Sequence, residues 1–412
     1  MSLAVVWDGK TVGTLERVAE RSREYAFSYS DASRALSLSL PNSQTSFTPA
    51  ESRPFFEALL PEGVVREQIA AQLKLATSDS YGLLAALGRD CAGAIQILEQ
   101  RRMSDPWSVN WLDDADLDDL VRDLPHRPLG VRAADERLRL SLAGVQRKAV
   151  LVRDRDGRFG QPRDGMPSTH ILKPQATEPE YPDIAVNEYF CMRLATACGL
   201  PAADVDLLTV AERPCLLVTR FDRDLGAVPV RRLHQEDLCQ ALGLTPDFKY
   251  QQEDWRVPSF AAFAKLLDDH SVQPGADRLR LAGAAVFNYV IGNADAHAKN
   301  FSVLHEPGGV RLSPLYDLVS TAVYPELNRR LALSIGDAFA PEEIGPTEWT
   351  DFAVDMGFRE RFFAQWRNRL AAQVAETAHA LRDQAHDEGW HTPLLDDVVS
   401  VVDTRAGLIA GA

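Results

Sequence analysis

Apolar and polar positions alternate from the start of the chain. Leu3-Ala-Val-Val-Trp7 and Thr11-Val-Gly-Thr-Leu15 read as two strands, and Asp8-Gly9 between them is the pair a tight hairpin favours. Phe27-Ser-Tyr29 and Leu36-Ser-Leu-Ser-Leu40 alternate with period two and are predicted as further strands. Residues 54–60, 64–73 and 80–87 instead repeat their apolar positions at helical spacing, so residues 1–102 form a small α+β domain. The pattern changes over 103–137. Asp113-Asp-Ala-Asp-Leu-Asp-Asp-Leu-Val-Arg-Asp-Leu124 predicts a short acidic amphipathic helix, and Pro125-His-Arg-Pro-Leu-Gly130 a loop, which together make a connector with a solvated charged face.

Strands return from residue 138. Leu138–Leu142, Lys148–Arg153 (with a turn at Asp156-Gly157), His170–Lys173, Val205–Val210 and Cys215–Arg220 are predicted strands, with one helix over Asn187–Cys198. Residues 138–222 therefore read as a five-stranded lobe containing one helix. Residues 223–412 are mostly helical, with helices expected at 235–242, 259–268, 277–291, 353–382 and 394–402. This order predicts an α+β, two-lobed, protein-kinase-like fold with a hinge near Thr219-Arg-Phe221.

Candidate chemistry is concentrated after the apolar run Leu281–Ile291. Asp295 and Asn300 stand five residues apart, and Asp317 follows in Leu315-Tyr-Asp-Leu-Val-Ser320. A carboxylate that takes the proton of an attacking hydroxyl, followed by an amide and a second carboxylate that hold Mg²⁺ on nucleotide phosphates, is the layout of a phosphotransferase. Lys173, at the end of Thr169-His-Ile-Leu-Lys173, and Glu188, in Asn187-Glu-Tyr-Phe190, come earlier in the chain, as the equivalent parts of a kinase do. Each residue alone has an ordinary reading as a turn, cap or solvated side chain. The ordered set does not.

Composition narrows the setting. The 412 residues carry 44 Lys and Arg against 59 Asp and Glu, a net charge of −15, which argues against bulk binding of nucleic acid or anionic membrane by the chain itself. Cys91, Cys191, Cys198, Cys215 and Cys239 are odd in number and widely spaced, as expected of free thiols. The sequence shows neither a signal-like N-terminus nor an apolar run of membrane-spanning length, so a cytoplasmic protein is expected.

Taken together, the motifs resemble the HipA family, the serine/threonine-kinase toxins of bacterial type II toxin–antitoxin systems. The resemblance rests on Leu38-Ser-Leu-Pro41, Leu59-Leu-Pro-Glu-Gly63 and Gly88-Arg-Asp-Cys-Ala-Gly93 in the N-terminal part. In the core it rests on Ser141-Leu-Ala-Gly-Val-Gln-Arg-Lys148, Thr169–Lys173, Arg220-Phe-Asp-Arg223, Gln235-Glu-Asp237, Asp295–Asn300 and Tyr316-Asp317.

The resemblance implies ATP and Mg²⁺ as cofactors, with Asp295 as catalytic base, His297 and Lys299 beside the transferring phosphate, and Asn300 and Asp317 as metal ligands. It implies nucleotide contacts from Ala143, Gly144, Lys148 and Lys173, with Glu188 orienting Lys173 by analogy with ordinary kinases. Adenine would lie at Thr219 and Phe221, and the ribose near Gln235 and Glu236. Ser141 corresponds to the autophosphorylation site, where a dianion would repel the triphosphate. A small helix-turn-helix antitoxin as partner, operator DNA bound only through it, and an aminoacyl-tRNA synthetase as the precedent for a target are implied as well.

Ordinary kinases are disfavoured. Asn293-Ala-Asp295 replaces His-Arg-Asp, Asp317 is not in Asp-Phe-Gly, and the nucleotide loop has Gly144 alone. Two rivals stay open: a metal-dependent hydrolase using Asp295, His297, His305 and Asp317, and a catalytically weak co-repressor scaffold.

Overall fold

Asp8 and Gly9 both take positive φ, 49° and 74°, the turn geometry whose twist matches that of paired strands. They join β1 (Ser2–Trp7) to β2 (Lys10–Arg17), as expected. The computed structural model of the chain describes residues 2–20, 22–99, 106–127, 129, 147–253 and 257–411. These residues form two compact units. The first is Met1–Pro174 with Thr209–Arg213 and Leu217–Asp247; the second is Gln175–Leu208 with Pro214–Leu216 and Phe248–Ala412.

In the first unit, β3 (Tyr25–Tyr29), β4 (Ser46–Phe47) and β5 (Ile95–Glu99) complete a five-stranded sheet in the order β4-β3-β2-β1-β5. Helices α1 (Pro49–Ala58), α2 (Gly63–Gln72) and α3 (Ser80–Leu87) share its core, where Leu15, Phe27, Phe55, Phe56, Leu84 and Ile97 are fully buried. α1 starts where Thr48 and Glu51 form a reciprocal capping box.

The strand expected at Leu36–Leu40 is instead a turn. Leu40 N donates to Ser37 O at 3.1 Å. The Tyr29 hydroxyl accepts from Leu36 N and donates to Leu40 O, both at 2.6 Å. The alternating serines do not line a solvent face. Ser37 Oγ bonds the carboxylate of Glu236, and Ser39 Oγ bonds Gln240 O at 2.7 Å.

The second sheet has six strands rather than five. β6 (Ser108–Trp111), from the expected connector, pairs with β8 (Phe159–Arg163) at one edge. α4 (Asp114–Asp123) follows with Asp113 as its cap. Its acidic face is not wholly solvated, because Asp118 accepts from Ala211 N at 2.7 Å. With β7 (Ala149–Arg153), β9 (His170–Pro174), β10 (Val205–Val210) and β11 (Arg213–Thr219) the order is β10-β11-β9-β7-β8-β6. α5 (Ile184–Ala197), in the second unit, begins a turn earlier than expected. The predicted strand at 138–142 lies outside the described residues.

β12 (Arg223–Asp224) and β13 (Arg231–Arg232) form a small ribbon. The helix expected at 235–242 divides into β14 (Gln235–Asp237) and the single turn α6 (Leu238–Ala241), because Asp237 caps that turn with Gln240 in a capping box.

In the second unit, α7 (Phe260–His270) and α8 (Pro274–Ile291) lead to the hairpin β15 (Ser302–Glu306) and β16 (Gly309–Leu312). The helix expected at 353–382 is two helices, α9 (Pro346–Asp355) and α10 (Glu360–Glu388), separated at Gly357, whose φ is +69°. α11 (Pro393–Gly411) ends the chain. The core here is aromatic, with Phe260 packed edge-on against Phe301 and Phe352, and Trp349 against Tyr289 and Phe352. Among the described residues, no helix is long and apolar enough to cross a membrane.

Candidate active site

α8 stops at Gly292, in the left-handed region at φ +74°. A side chain there would press on Ala322 and Val401, each 2.8 Å from an added Cβ. Three donors from the segment opposite, Thr321 N, Thr321 Oγ1 and Ala322 N, bind Gly292 O at 3.0–3.1 Å. A relay of amides then sets the loop. Asn288 Nδ2 donates to Ala284 O, Asn293 Nδ2 to Asn288 Oδ1, and Asp295 N to Asn293 Oδ1, at 2.8–3.0 Å. Asn288 and Asn293 are buried, so the two side chains satisfy each other in place of water. The relay ends on the backbone N–H of Asp295, whose side chain is exposed.

Asp295 O accepts from His297 N at 2.8 Å and from Asn300 Nδ2 at 3.0 Å. Because the amide nitrogen of Asn300 is engaged there, its Oδ1 is the end left to accept a metal ion. Asp317 takes φ +53°, a conformation uncommon outside glycine and held only where the surroundings over-determine it. The flanks do so. Leu315 N donates to Pro201 O and Ala203 N to Leu315 O, both at 2.8 Å. Ser320 bonds Asn187 through both its backbone groups, at 2.9 and 3.0 Å. Tyr316, one residue before Asp317, donates to the carbonyl of Lys299, one residue before Asn300, at 2.7 Å. The two candidate metal ligands are thus adjacent in sequence to the two ends of one hydrogen bond.

An amide oxygen and one carboxylate are a donor set that suits Mg²⁺, which takes its remaining ligands from water and substrate phosphates. Among the described residues no group of three or more His, Cys, Asp and Glu side chains could hold a metal ion. The hydrolase constellation of Asp295, His297, His305 and Asp317 is therefore not assembled. His297 and Lys299 are each 7% exposed, so both side chains are held within the fold.

Of the remaining candidates of the first unit, Lys173 and Thr219 lie on strands of the six-stranded sheet, and Gln235 and Glu236 lie on β14. Lys173 lies in β9, and Lys148 immediately precedes β7, whose Ala149 pairs with Leu172. Both lysines are buried. Thr219 ends β11, and Arg220 N next to it binds Thr169 O at 3.0 Å, which leaves Phe221 half-buried. Glu236 is fully buried, and its carboxylate takes Ser37 Oγ and Leu38 N. Gln235 is half-buried, its Nε2 3.5 Å from Asp222 Oδ2. Glu188 is buried on α5 in the second unit, whereas Lys173 belongs to the first. Ser141, Ala143 and Gly144 lie outside the described residues.

Sequence reasoning assigned no joint role to Gly88–Gly93 and Arg220–Arg223, yet the structure makes them one network. Asp90 receives Arg223 at 3.0 Å, Arg232 at 2.9 Å and the Ser168 hydroxyl at 2.6 Å. Arg220 grips Asp222 at 2.7 and 2.9 Å and Cys91 O at 2.9 Å. Asp222 in turn takes Gly93 N at 2.7 Å. Burial pushes both carboxyls up, but the arginines outweigh it: Arg223, Arg232 and Arg220 hold Asp90 below the usual carboxylate range, and Arg220 and Arg223 hold Asp222 well below it. Arg223 is lowered to about 10 by burial and by Arg220 beside it. Arg232 is thus a buried partner of Asp90. The signal in the sequence was charge of both signs set among apolar and small residues.

The chain is similar to known proteins over most of its length. A family model described as the HipA-like C-terminal domain matches residues 140–381, and one described as the HipA N-terminal domain matches residues 3–98. The kinase-named protein Y4mE of Sinorhizobium fredii is 40% identical over 422 residues, covering 99% of this chain and 98% of its own. The serine/threonine-protein kinase toxin HipA of Shewanella oneidensis is 30% identical over 332 residues, 78% of this chain and 75% of that protein. A solved structure of Shewanella oneidensis HipA, in complex with HipB and its operator DNA, superposes with a TM-score of 0.83 at 26% identity, covering 99% and 98% of the two chains.

Proposed function

The chain belongs to the HipA family, and from that premise we propose that it is an ATP-dependent serine/threonine kinase acting as the toxin of a toxin–antitoxin pair. The observation that carries the reading is the exposed Asp295 on a loop with a fixed backbone, with the Asn300 amide turned by Asp295 O and Asp317 in a strained conformation beyond it. Asp295 takes the proton of a protein hydroxyl while that oxygen bonds to the γ-phosphorus and the bond to the leaving ADP breaks. Asn300 and Asp317 would hold Mg²⁺, which, when bound, would neutralise charge on the phosphates. Lys148 and Lys173 bind the phosphates electrostatically, Glu188 is a further nucleotide-site residue, and Thr219, Phe221, Gln235 and Glu236 receive the nucleoside. Ala143 and Gly144 belong to the loop over the phosphates, and Ser141 within it is the site of self-inactivation by phosphorylation.

A small helix-turn-helix antitoxin is the proposed partner, because the Shewanella relative was solved with HipB and operator DNA. The target is a protein hydroxyl in the cytoplasm, with aminoacyl-tRNA synthetases as the class to try first. The alternative is a weakly catalytic co-repressor.

Two measurements decide between them: transfer of label from γ-labelled MgATP to protein, and growth on expression of the chain and of Asp295→Ala. Label transfer and growth arrest that both vanish in the variant support the kinase. Repression with antitoxin but no label transfer supports the scaffold.

A further inference from the structure

We propose that Tyr250 is a positioning residue for the transfer step, its phenol holding one oxygen of the Asp295 carboxylate so that the other accepts from the incoming hydroxyl. The Tyr250 hydroxyl donates to Asp295 Oδ1 at 2.7 Å. Among the described residues no other donor reaches that carboxylate, and Asp295 is otherwise an exposed side chain free to change rotamer.

Tyr250 is not in place for burial, since it is 44% exposed. It is held by its backbone neighbours. Ala298 N donates to Lys249 O at 3.1 Å on one side, and Gln251 N to Ala332 O at 2.9 Å on the other. Ala332 N closes the circuit on Ala294 O, also at 2.9 Å. The residues flanking Tyr250 are thus bonded to both arms of the loop that carries Asp295. Its ring meets His297 edge-on, with centroids 5.2 Å apart, and Lys249 Nζ lies 5.4 Å from the ring centroid. A surface tyrosine that had merely found a neighbouring acceptor would not need anchoring on both sides.

The proposal rests on the kinase reading and adds a role to it. During transfer the phenol keeps its own proton. The substrate proton goes to Asp295 Oδ2 as the new oxygen–phosphorus bond forms and the bond to the bridging oxygen of ADP breaks. A base held in one orientation by a third group is worth at least about ten-fold in rate.

The test is Tyr250→Phe, which deletes the hydroxyl and keeps the ring. Single-turnover transfer from γ-labelled MgATP is measured, with the chain itself and dephosphorylated casein as hydroxyl acceptors. The transfer rate should fall about ten-fold or more while KM for ATP stays within about two-fold and the melting temperature is unchanged. Tyr250→Phe added to Asp295→Ala should cost nothing further, because Tyr250 acts through Asp295. A variant at the wild-type rate, a loss confined to KM for ATP, or a loss that multiplies with that of Asp295→Ala each overturns the proposal and leaves the kinase reading intact. Wild-type protein that labels no acceptor removes both.

Discussion

Asn187 and Ser320 bond each other twice: Asn187 Oδ1 accepts from Ser320 N at 2.9 Å, and Asn187 Nδ2 donates to Ser320 O at 3.0 Å. A helical side chain here imitates a strand, pairing with both backbone groups of a segment that has no strand neighbour. Three residues before Ser320 stands Asp317, whose positive φ needs fixed surroundings. Asn187→Ala leaves two buried backbone groups without partners, at about 1–3 kcal/mol each. The variant should lose about 2–4 kcal/mol in urea unfolding and require more Mg²⁺ for transfer. Unchanged stability would mean the pairing is replaceable by water.

Asn300 and Asp317 predict a metal phenotype. Asn300→Ala should raise the Mg²⁺ concentration at half-maximal transfer by about ten-fold or more, and Asp317→Ala should abolish transfer at any practical Mg²⁺. Titration of transfer rate against Mg²⁺ checks both. A Mg²⁺ curve for Asn300→Ala that overlays wild type would remove Asn300 from the ligand set.

The buried Asp90 and Asp222 predict an acid limb in stability. Both carboxyls are held below their ordinary range by arginines. Their stabilisation is therefore complete above the ordinary Asp value near 4, and is lost as pH falls through the depressed values below it. Melting temperature from pH 7 to pH 2 should fall mainly below about pH 4. Asp90→Asn should cost about 3–5 kcal/mol at neutral pH, since it strands Arg223 and Arg232, and its acid limb should be shallower. A limb of equal steepness in the variant would assign acid unfolding to other groups.

Incubation with MgATP alone should place one phosphate on Ser141, and that form should bind ATP poorly. Peptide mass spectrometry finds the site and nucleotide titration measures the binding. Phosphate elsewhere, with Ser141 always unmodified, would remove the self-inactivation and spare the kinase.

With 59 acidic against 44 basic residues, the chain alone should not retard duplex DNA at physiological salt, but should join an operator complex when its antitoxin is present. A mobility assay across a salt series, with and without partner, measures this. Tight, salt-steep binding by the chain alone would contradict it.

What the sequence determined is what depends on near neighbours. Asp8-Gly9 specifies its hairpin because turn chemistry is local. The order of Lys173, Glu188, Asp295, Asn300 and Asp317 stands out in the sequence as a candidate set because phosphoryl transfer uses those residue types.

Tertiary structure decided the rest, wherever a polar group is matched by one far along the chain. Leu36–Leu40 has the pattern of a strand, but Glu236, nearly two hundred residues later, takes its serine hydroxyl and makes it a turn. Arg231-Arg232 resembles a solvated basic pair until Asp90, 142 residues away, draws Arg232 inside. Tyr250 carries no motif at all, and only folding sets its hydroxyl on Asp295. The reason is physical. Periodicity records which side of an element faces the core, whereas burying a polar or charged side chain is tolerable only with a specific partner, and one-dimensional spacing does not encode which distant residue that partner is.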